Sequence, residues 1–169
     1  MRPWAPALLL VATSALAVRA AQAENLSRTT TCQVTRPGGG LHENASLSVG
    51  LSGKYVFRPG GPGFVDSDGA LGIKVLWTRK VRGHLQVGGK RLDGIAPPAR
   101  AYINDFGDTG IQPSYLLFPT PGCWEITGQV VDATLTFVVL VEKVGDGPEW
   151  RMQGPPRGSR VSSIAVGGA

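Results

Sequence analysis

From Ser46 onward the chain is a succession of short runs in which apolar and polar residues alternate, divided by Gly, Pro and Asp. A period of two puts successive side chains on opposite faces of a strand, so each run predicts a half-buried β-strand. Residues 46–52 and 54–58 are the first two runs. Residues 59–63, Pro-Gly-Gly-Pro-Gly, break the chain, and Asp68-Gly69 marks a tight turn. Ile73, Val75 and Trp77 then alternate with Lys74 and Thr78. Leu85 and Val87 alternate with His84 and Gln86 up to an expected turn at Gly88-Gly89, and residues 115–118 form a further apolar strand before Pro119. The clearest pair comes last. Trp124, Ile126, Gly128 and Val130 fall on one face, and Ala133, Leu135, Phe137, Val139 and Val141 on one face of a returning strand. Val138 and Leu140 break that alternation, which predicts a strand covered on both sides near its end. Trp124 is expected in the core against residues such as Leu135 and Phe137. No stretch carries a helical stripe of useful length. Strand signals every eight to twelve residues are those of a sandwich or barrel.

The two ends differ from this middle. Arg2, the apolar run 5–18 and Ala21-Gln22-Ala23 form the three-part pattern of a secretory signal peptide, with cleavage expected after Ala23. A membrane anchor is the alternative, but Thr13, Ser14 and Arg19 interrupt the run, which falls short of the roughly 18 residues a spanning helix needs. Cys32, the first cysteine, follows Thr29, Thr30 and Thr31, so the context for lipid attachment to a mature N-terminus is missing. The expected organisation is a signal peptide at 1–23, a loosely ordered arm at 24–45, a sandwich at 46–144 and a disordered Gly/Pro-rich tail at 145–169. Trp150 and Met152 could clip the first part of that tail to the domain, but the expectation is a free tail. The mature protein is expected outside the cytoplasm, secreted or periplasmic, without a transmembrane segment.

Export gives the two cysteines their meaning. In an oxidising compartment Cys32 and Cys123 most simply form one bridge. It closes a loop of about 90 residues, which the chain-entropy model values at roughly 4 to 5 kcal/mol, and holds the N-terminal arm. There is no C-x-x-C, and two cysteines do not make a metal site, so no metal or other cofactor is expected.

The formal charge of +5 falls to +3 once Arg2 and Arg19 leave with the signal peptide, which carries no acid. That surplus is too small to signal a nucleic acid. Its distribution is uneven: from 74 to 100 the bases Lys74, Arg79, Lys80, Arg82, Lys90, Arg91 and Arg100 face only Asp93. The stretch is either a solvated sheet face with its loops or a surface for an anionic partner such as an envelope polymer or lipid headgroup. Arg79, Lys80, Arg82, Lys90 and Arg91 are the candidate binding residues.

Catalytic signatures are missing. Residues 50–55, Gly-Leu-Ser-Gly-Lys-Tyr, have the wrong spacing for a phosphate loop, and Ser52 lacks a nucleophile elbow. His42 and His84 are the only histidines, and His84 sits at a polar strand position. Asp66-Ser-Asp68-Gly69 reads as a hairpin turn in preference to half a calcium loop, and residues 104–110 as an Asx-rich connection in preference to a weak cation cradle. Asn25 and Asn44 lie in glycosylation sequons.

Several segments in order carry a resemblance: residues 57–64 (FRPGGPGF), 91–98 (RLDGIAPP), 107–112 (GDTGIQ), 118–128 (FPTPGCWEITG) and 133–138 (ATLTFV). Over about 32–144 the chain resembles a group of bacterial exported proteins without an assigned activity, some of them lipoproteins. The resemblance implies a small immunoglobulin-like antiparallel β-sandwich and gives no catalytic residues to transfer. Two features depart from that group's pattern. The strand after Asp68-Gly69 holds Trp77 alone where a tryptophan pair is common, and the lipid-attachment cysteine is missing. The expectation is a non-catalytic exported domain that binds, or is structural, through its surface: the basic stretch or the 59–63 loop, against an envelope component or a protein. The alternatives are an envelope hydrolase or transferase using Asp105 and Asp108, and an inhibitor of a secreted enzyme inserting residues 59–64.

Overall fold

The computed structural model describes residues 31–104 and 106–164. Residues 1–30, with the signal peptide expected at 1–23, as well as Asp105 and residues 165–169 lie outside the described residues.

The alternating runs become twelve strands: β1 (Leu41–Glu43), β2 (Leu47–Gly50), β3 (Lys54–Phe57), β4 (Phe64–Asp66), β5 (Leu71–Arg79), β6 (Leu85–Arg91), β7 (Arg100–Asn104), β8 (Gly110–Phe118), β9 (Gly122–Val130), β10 (Ala133–Lys143), β11 (Arg151–Met152) and β12 (Ser159–Ser162). One sheet runs β1-β2-β5-β8-β7-β12, with β4 also on β5 and β11 on β4; the other runs β3-β10-β9-β6. They pack as the all-β sandwich expected from the sequence, antiparallel except where β3 joins β10 and β11 joins β4 in parallel.

Inward positions of both sheets build one core. The buried faces of β9 and β10 are the predicted ones. Trp124 is fully buried, its ring 5.9 Å from that of Phe118 and its Nε1 donating to the Thr120 carbonyl at 3.1 Å. Its cross-strand neighbour is Val139, while Phe137 packs on Trp77 at 5.8 Å. Trp77 lies flat against Gly128, where a Cβ would come within 2.4 Å of the indole.

Cys32 and Cys123 are bonded, with Cα atoms 5.5 Å apart across 91 residues of sequence. The bridge holds the arm along the edge of β10 opposite β9: Thr35 N–H donates to the Val138 carbonyl at 2.8 Å, and Thr35 Oγ1 accepts from Val138 N–H at 2.9 Å. That covering explains why Val138 and Leu140 are half-buried.

Three expectations need correction. Gly88-Gly89 is no turn but the middle of β6, extended and buried. Glycine is needed because the Ile164 backbone crosses one and the Glu125 carbonyl the other, so that added Cβ atoms would meet them at 2.3 and 2.4 Å. The sheet starts before Ser46, since β1 already pairs with β2. The segment after 144 is not a disordered tail: β11 lies on β4 and β12 on β7. Its Gly/Pro composition hid a second small core outside the larger sheet, in which Phe64, Tyr102, Leu117 and Met152 are buried and Trp150 stacks on Phe64 at 5.0 Å.

Replacing both cysteines by serine is expected to cost the domain about 4 kcal/mol. The segment before Leu47 then becomes the first site of limited proteolysis while the β circular-dichroism signal persists; urea titration and mass mapping of the cleavage products check both outcomes.

Candidate functional site

The end of the sandwich at the last residue of β5 brings together loops far apart in sequence. Arg79 is 1 % exposed, although it sits in the most basic stretch of the chain. Its Nη1 donates to the Gly83 carbonyl at 2.6 Å, and its Nη2 to the carbonyls of Phe106 at 2.6 Å and Gly107 at 3.0 Å. One guanidinium thereby fastens the β5–β6 loop to the β7–β8 loop, and Gly83 N–H adds a bond to the Asp108 carbonyl at 2.9 Å. A planar fork of five donors suits several carbonyls at once, which a lysine does not.

The β9–β10 turn joins the same assembly. Gly83 packs so closely on it that a Cβ there would sit 2.9 Å from Val131 Cγ2. Val131 itself has φ 53°, the single non-glycine residue of positive φ among the described residues. A β-branched residue in the left-handed region is strained, and tight two-residue hairpins ordinarily place Asn or Gly there. Val131 is also 63 % exposed, so burial of its side chain does not explain the choice. Phe106 on the neighbouring loop is 53 % exposed, and Ile111 at the start of β8 65 %. The result is a braced platform with apolar side chains at its tips and an Arg82–Asp108 ion pair of 3.4 Å beside them.

The other candidate bases are engaged by carboxylates. Lys80 reaches Glu43 at 2.8 Å and Lys90 reaches Glu125 at 3.2 Å. Arg91 binds Asp93 at 2.7 Å and Thr120 at 3.2 Å. Arg100 donates to Asp68 at 2.6 Å and to the buried Asp66 at 3.0 Å, where Tyr102 and the Gly154 N–H also donate. Burial and the Asp66 hydrogen bond both push the Tyr102 phenol up. This knot ties the Asp66–Asp68 turn to β7 and to the C-terminal segment, and the turn is the hairpin expected from the sequence. Arg79 is therefore buried where the sequence suggested an exposed base, and Lys80, Arg82, Lys90 and Arg91 are each engaged by a carboxylate.

The 59–63 loop is a turn closed by Gly61 N–H on the Arg58 carbonyl and pinned by Gly60 N–H to both oxygens of Glu149 at 3.1 Å. Of the carboxylate pair, Asp105 lies outside the described residues and Asp108 is exposed beside Arg82. His84 Nδ1 meets Arg160 at 3.1 Å, and His42 Nε2 meets the Thr136 carbonyl at 3.0 Å. Among the described residues no group of three or more His, Cys, Asp or Glu converges to hold a metal ion.

Two hollows lie elsewhere. One, of about 410 Å³, is an open polar dish between His84, Gln86 and Arg160 to Ser163. The other, of about 280 Å³, lies between β3 and Ile73-Lys74 of β5. In its wall Tyr55 packs 6.2 Å from Phe118, and burial, only partly offset by a hydrogen bond with Ser52, pushes its phenol up to about 12. Asp108 lines neither hollow.

Comparison of the chain with family models, with curated proteins and with solved structures returned no match in any of the three. Sequence reading missed the loop platform because nothing local distinguishes a buried guanidinium from the exposed bases around it. The one available signal was a valine where the hairpin turn calls for Asn or Gly.

Arg79→Leu strands several carbonyls in a dry site, so it is expected to cost about 3 kcal/mol, against less than about 0.5 for Arg82→Leu on the surface; urea titration of both variants checks this. Tyr55 predicts an alkaline dependence. Folding raises the pKa of this acid, so its contribution is intact below the ordinary value of 10 and disappears as pH rises from about 10 to 12. Between about pH 9 and 12 the native protein is expected to lose roughly 2 kcal/mol more stability than Tyr55→Phe, measured by denaturant titration across that range.

Proposed function

We propose that this chain is an exported, non-catalytic β-sandwich domain that binds a protein partner through the loop platform gathered by Arg79. The observation that carries the reading is Val131: an exposed β-branched residue held at φ 53° in a turn braced by Gly83, beside the exposed Phe106. Strain of that kind costs on the order of 1 to 3 kcal/mol, and a side chain left mostly exposed offsets little of it by burial, which supports a role in what it presents. Aromatic and aliphatic tips on rigid loops are the material of an interface centre, with the Arg82–Asp108 pair at the rim. The pairing of Lys80, Lys90 and Arg91 with carboxylates favours such a partner over an anionic polymer.

Residues 1–23 act in this reading as a cleaved signal peptide, and the Cys32–Cys123 bridge fits the oxidising compartment that export reaches. Among the described residues no helix is long and apolar enough to cross a membrane. The resemblance to a group of bacterial exported proteins, some of them lipoproteins, belongs to the same proposal and rests on the ordered segments at 57–64, 91–98, 107–112, 118–128 and 133–138.

The test uses the mature protein as bait in envelope extract, with quantitative mass spectrometry of what it retains. The combined change Phe106→Ser and Val131→Asn is expected to abolish retention of the partner. Val131→Asn alone is expected to raise stability by about 1 kcal/mol while weakening retention, a combination that a merely structural turn residue does not give. Retention that survives the double change but is lost on reversing Lys80, Lys90 and Arg91 to Glu overturns the reading in favour of an anionic ligand.

A further inference from the structure

Among the described residues the sandwich covers several of its sheet edges closely, and that of β3 is left open. Along the outer edge of β10 the Thr134 carbonyl accepts from Asn44 Nδ2 at 2.8 Å, the Thr136 carbonyl meets His42, Val138 exchanges two bonds with Thr35, and Leu140 N–H donates to the Gly53 carbonyl at 3.0 Å. The β6 edge is closed by a two-way bridge between Gly89 and Ala99 and by Ser162, whose Oγ accepts from Val87 N–H at 2.8 Å. β3 is different.

In a strand, backbone groups of successive residues point alternately to either side. The carbonyls of Gly53 and Phe57 accept from Leu140 of β10 and from Val144 just past its end, so odd positions face that strand and the even ones face away. Lys54 O is taken by Ser52 Oγ at 2.9 Å and Arg58 O by Gly61 N–H at 3.0 Å. That leaves Lys54 N–H and both groups of Val56 directed at the 280 Å³ hollow side of the strand. Across the hollow β5 has a matching gap. The Ala70 carbonyl accepts from Asp66 and Lys80 N–H donates to Ser46, so even positions of β5 face β4 and β2. β4 pairs no further than Gly72 and β2 no further than Trp77, which leaves the peptide groups of Lys74 between them without a strand.

We propose that β3 is a strand-addition site for an extended, acidic segment of a partner protein, seated along Lys54–Phe57 with its apolar side chains in the hollow beside Lys74. Charge decides the occupant. Self-pairing of two copies about Val56 in antiparallel register sets Lys54 of each against Arg58 of the other, a like-charge pairing that edge strands use to prevent self-association. An incoming strand with carboxylates at those two positions meets the opposite situation. Arg58 and Lys74 make no ion pair among the described residues, and Lys54 shares only Glu142, at 2.8 Å. Tyr55 and Phe57 point inward and Lys54, Val56 and Arg58 outward, so the fitting sequence is acid, apolar, any, apolar, acid. That pattern is a palindrome and suits either strand direction. The site lies on β5 residues 73–74, away from the Arg79 platform at the other end of that strand, and stands independently of the function proposed above.

The probe is the peptide acetyl-Ser-Glu-Val-Thr-Val-Glu-Ser-amide, titrated to millimolar concentration into the isotope-labelled mature protein and followed by amide shifts and hydrogen exchange. Shifts are expected at Val56 and Lys74, with exchange at Val56 slowed roughly tenfold when peptide exceeds its Kd about tenfold. The same peptide with Lys in place of both Glu is expected to produce neither effect, and Arg58→Glu to reverse the preference. A peptide N-methylated at Thr loses a main-chain donor and is expected to bind more weakly. Equal binding of the Glu and Lys peptides, unmoved Val56 and Lys74 amides, or signals that depend on protein concentration alone each overturn the proposal. Shifts at Phe106 and Val131 without shifts at Val56 would place the peptide on the other site and do the same.

Discussion

Trp77 rests on Gly128, and the spacing of the two sheets depends on that contact. Its indole reaches from the centre of one sheet to the backbone of β9 in the other, at a position where a Cβ would fall 2.4 Å from the ring. Phe137 covers the ring at 5.8 Å, and Ser114 accepts its N–H at 3.1 Å, so this buried tryptophan is packed and its one polar group satisfied. Interiors at this density tolerate little change of volume. A side chain at 128 would drive the sheets apart, and the inward faces of β5, β9 and β10 would lose their fit together.

With the core set, the remaining physical problem is the edges, where unpaired backbone groups invite association. The protein answers with segments whose composition looks unstructured. The arm held by Cys32 hydrogen-bonds to β10 through Thr35; Asn44 holds its own turn through Oδ1 and β10 through Nδ2; the C-terminal segment supplies β12 against β7. Within β8, Pro113 has no N–H to give where β7 ends, and Gln112 turns its side-chain amide to the Asn104 carbonyl there. These are local solutions to one requirement, that buried backbone groups find partners.

The same requirement produces the loop platform. A buried guanidinium is costly unless its donors are used, and carbonyls of loops are costly unless met; Arg79 meets both demands with the Gly83, Phe106 and Gly107 carbonyls. Rigid loops allow a strained turn such as that of Val131 to persist, because the surroundings hold it. The recognition proposed for this end and the strand addition proposed for β3 draw on opposite properties: exposed side chains on saturated backbone in one case, unsaturated backbone beside an apolar hollow in the other.

The sequence by itself determined the sandwich, because period-two alternation is a local signal and β9 and β10 carry it without ambiguity. It also determined the pairing of the disulfide, since a chain with two cysteines leaves a single intramolecular choice. It did not determine the fate of Arg79, which in sequence is one base among seven between 74 and 100; its burial was decided by carbonyls 4 to 28 residues away. Gly88-Gly89 read as a turn because glycine pairs usually are, whereas the approach of Ile164 and Glu125 makes them strand. The segment after 144 read as disorder because its few apolar residues find no partner nearby in the chain; Trp150 and Met152 find theirs in Phe64 and its neighbours on the outer sheet face. Side-chain periodicity is written residue by residue, while burial of a charge, a glycine or a lone tryptophan depends on which distant backbone arrives beside it, and only the assembled tertiary structure decides that.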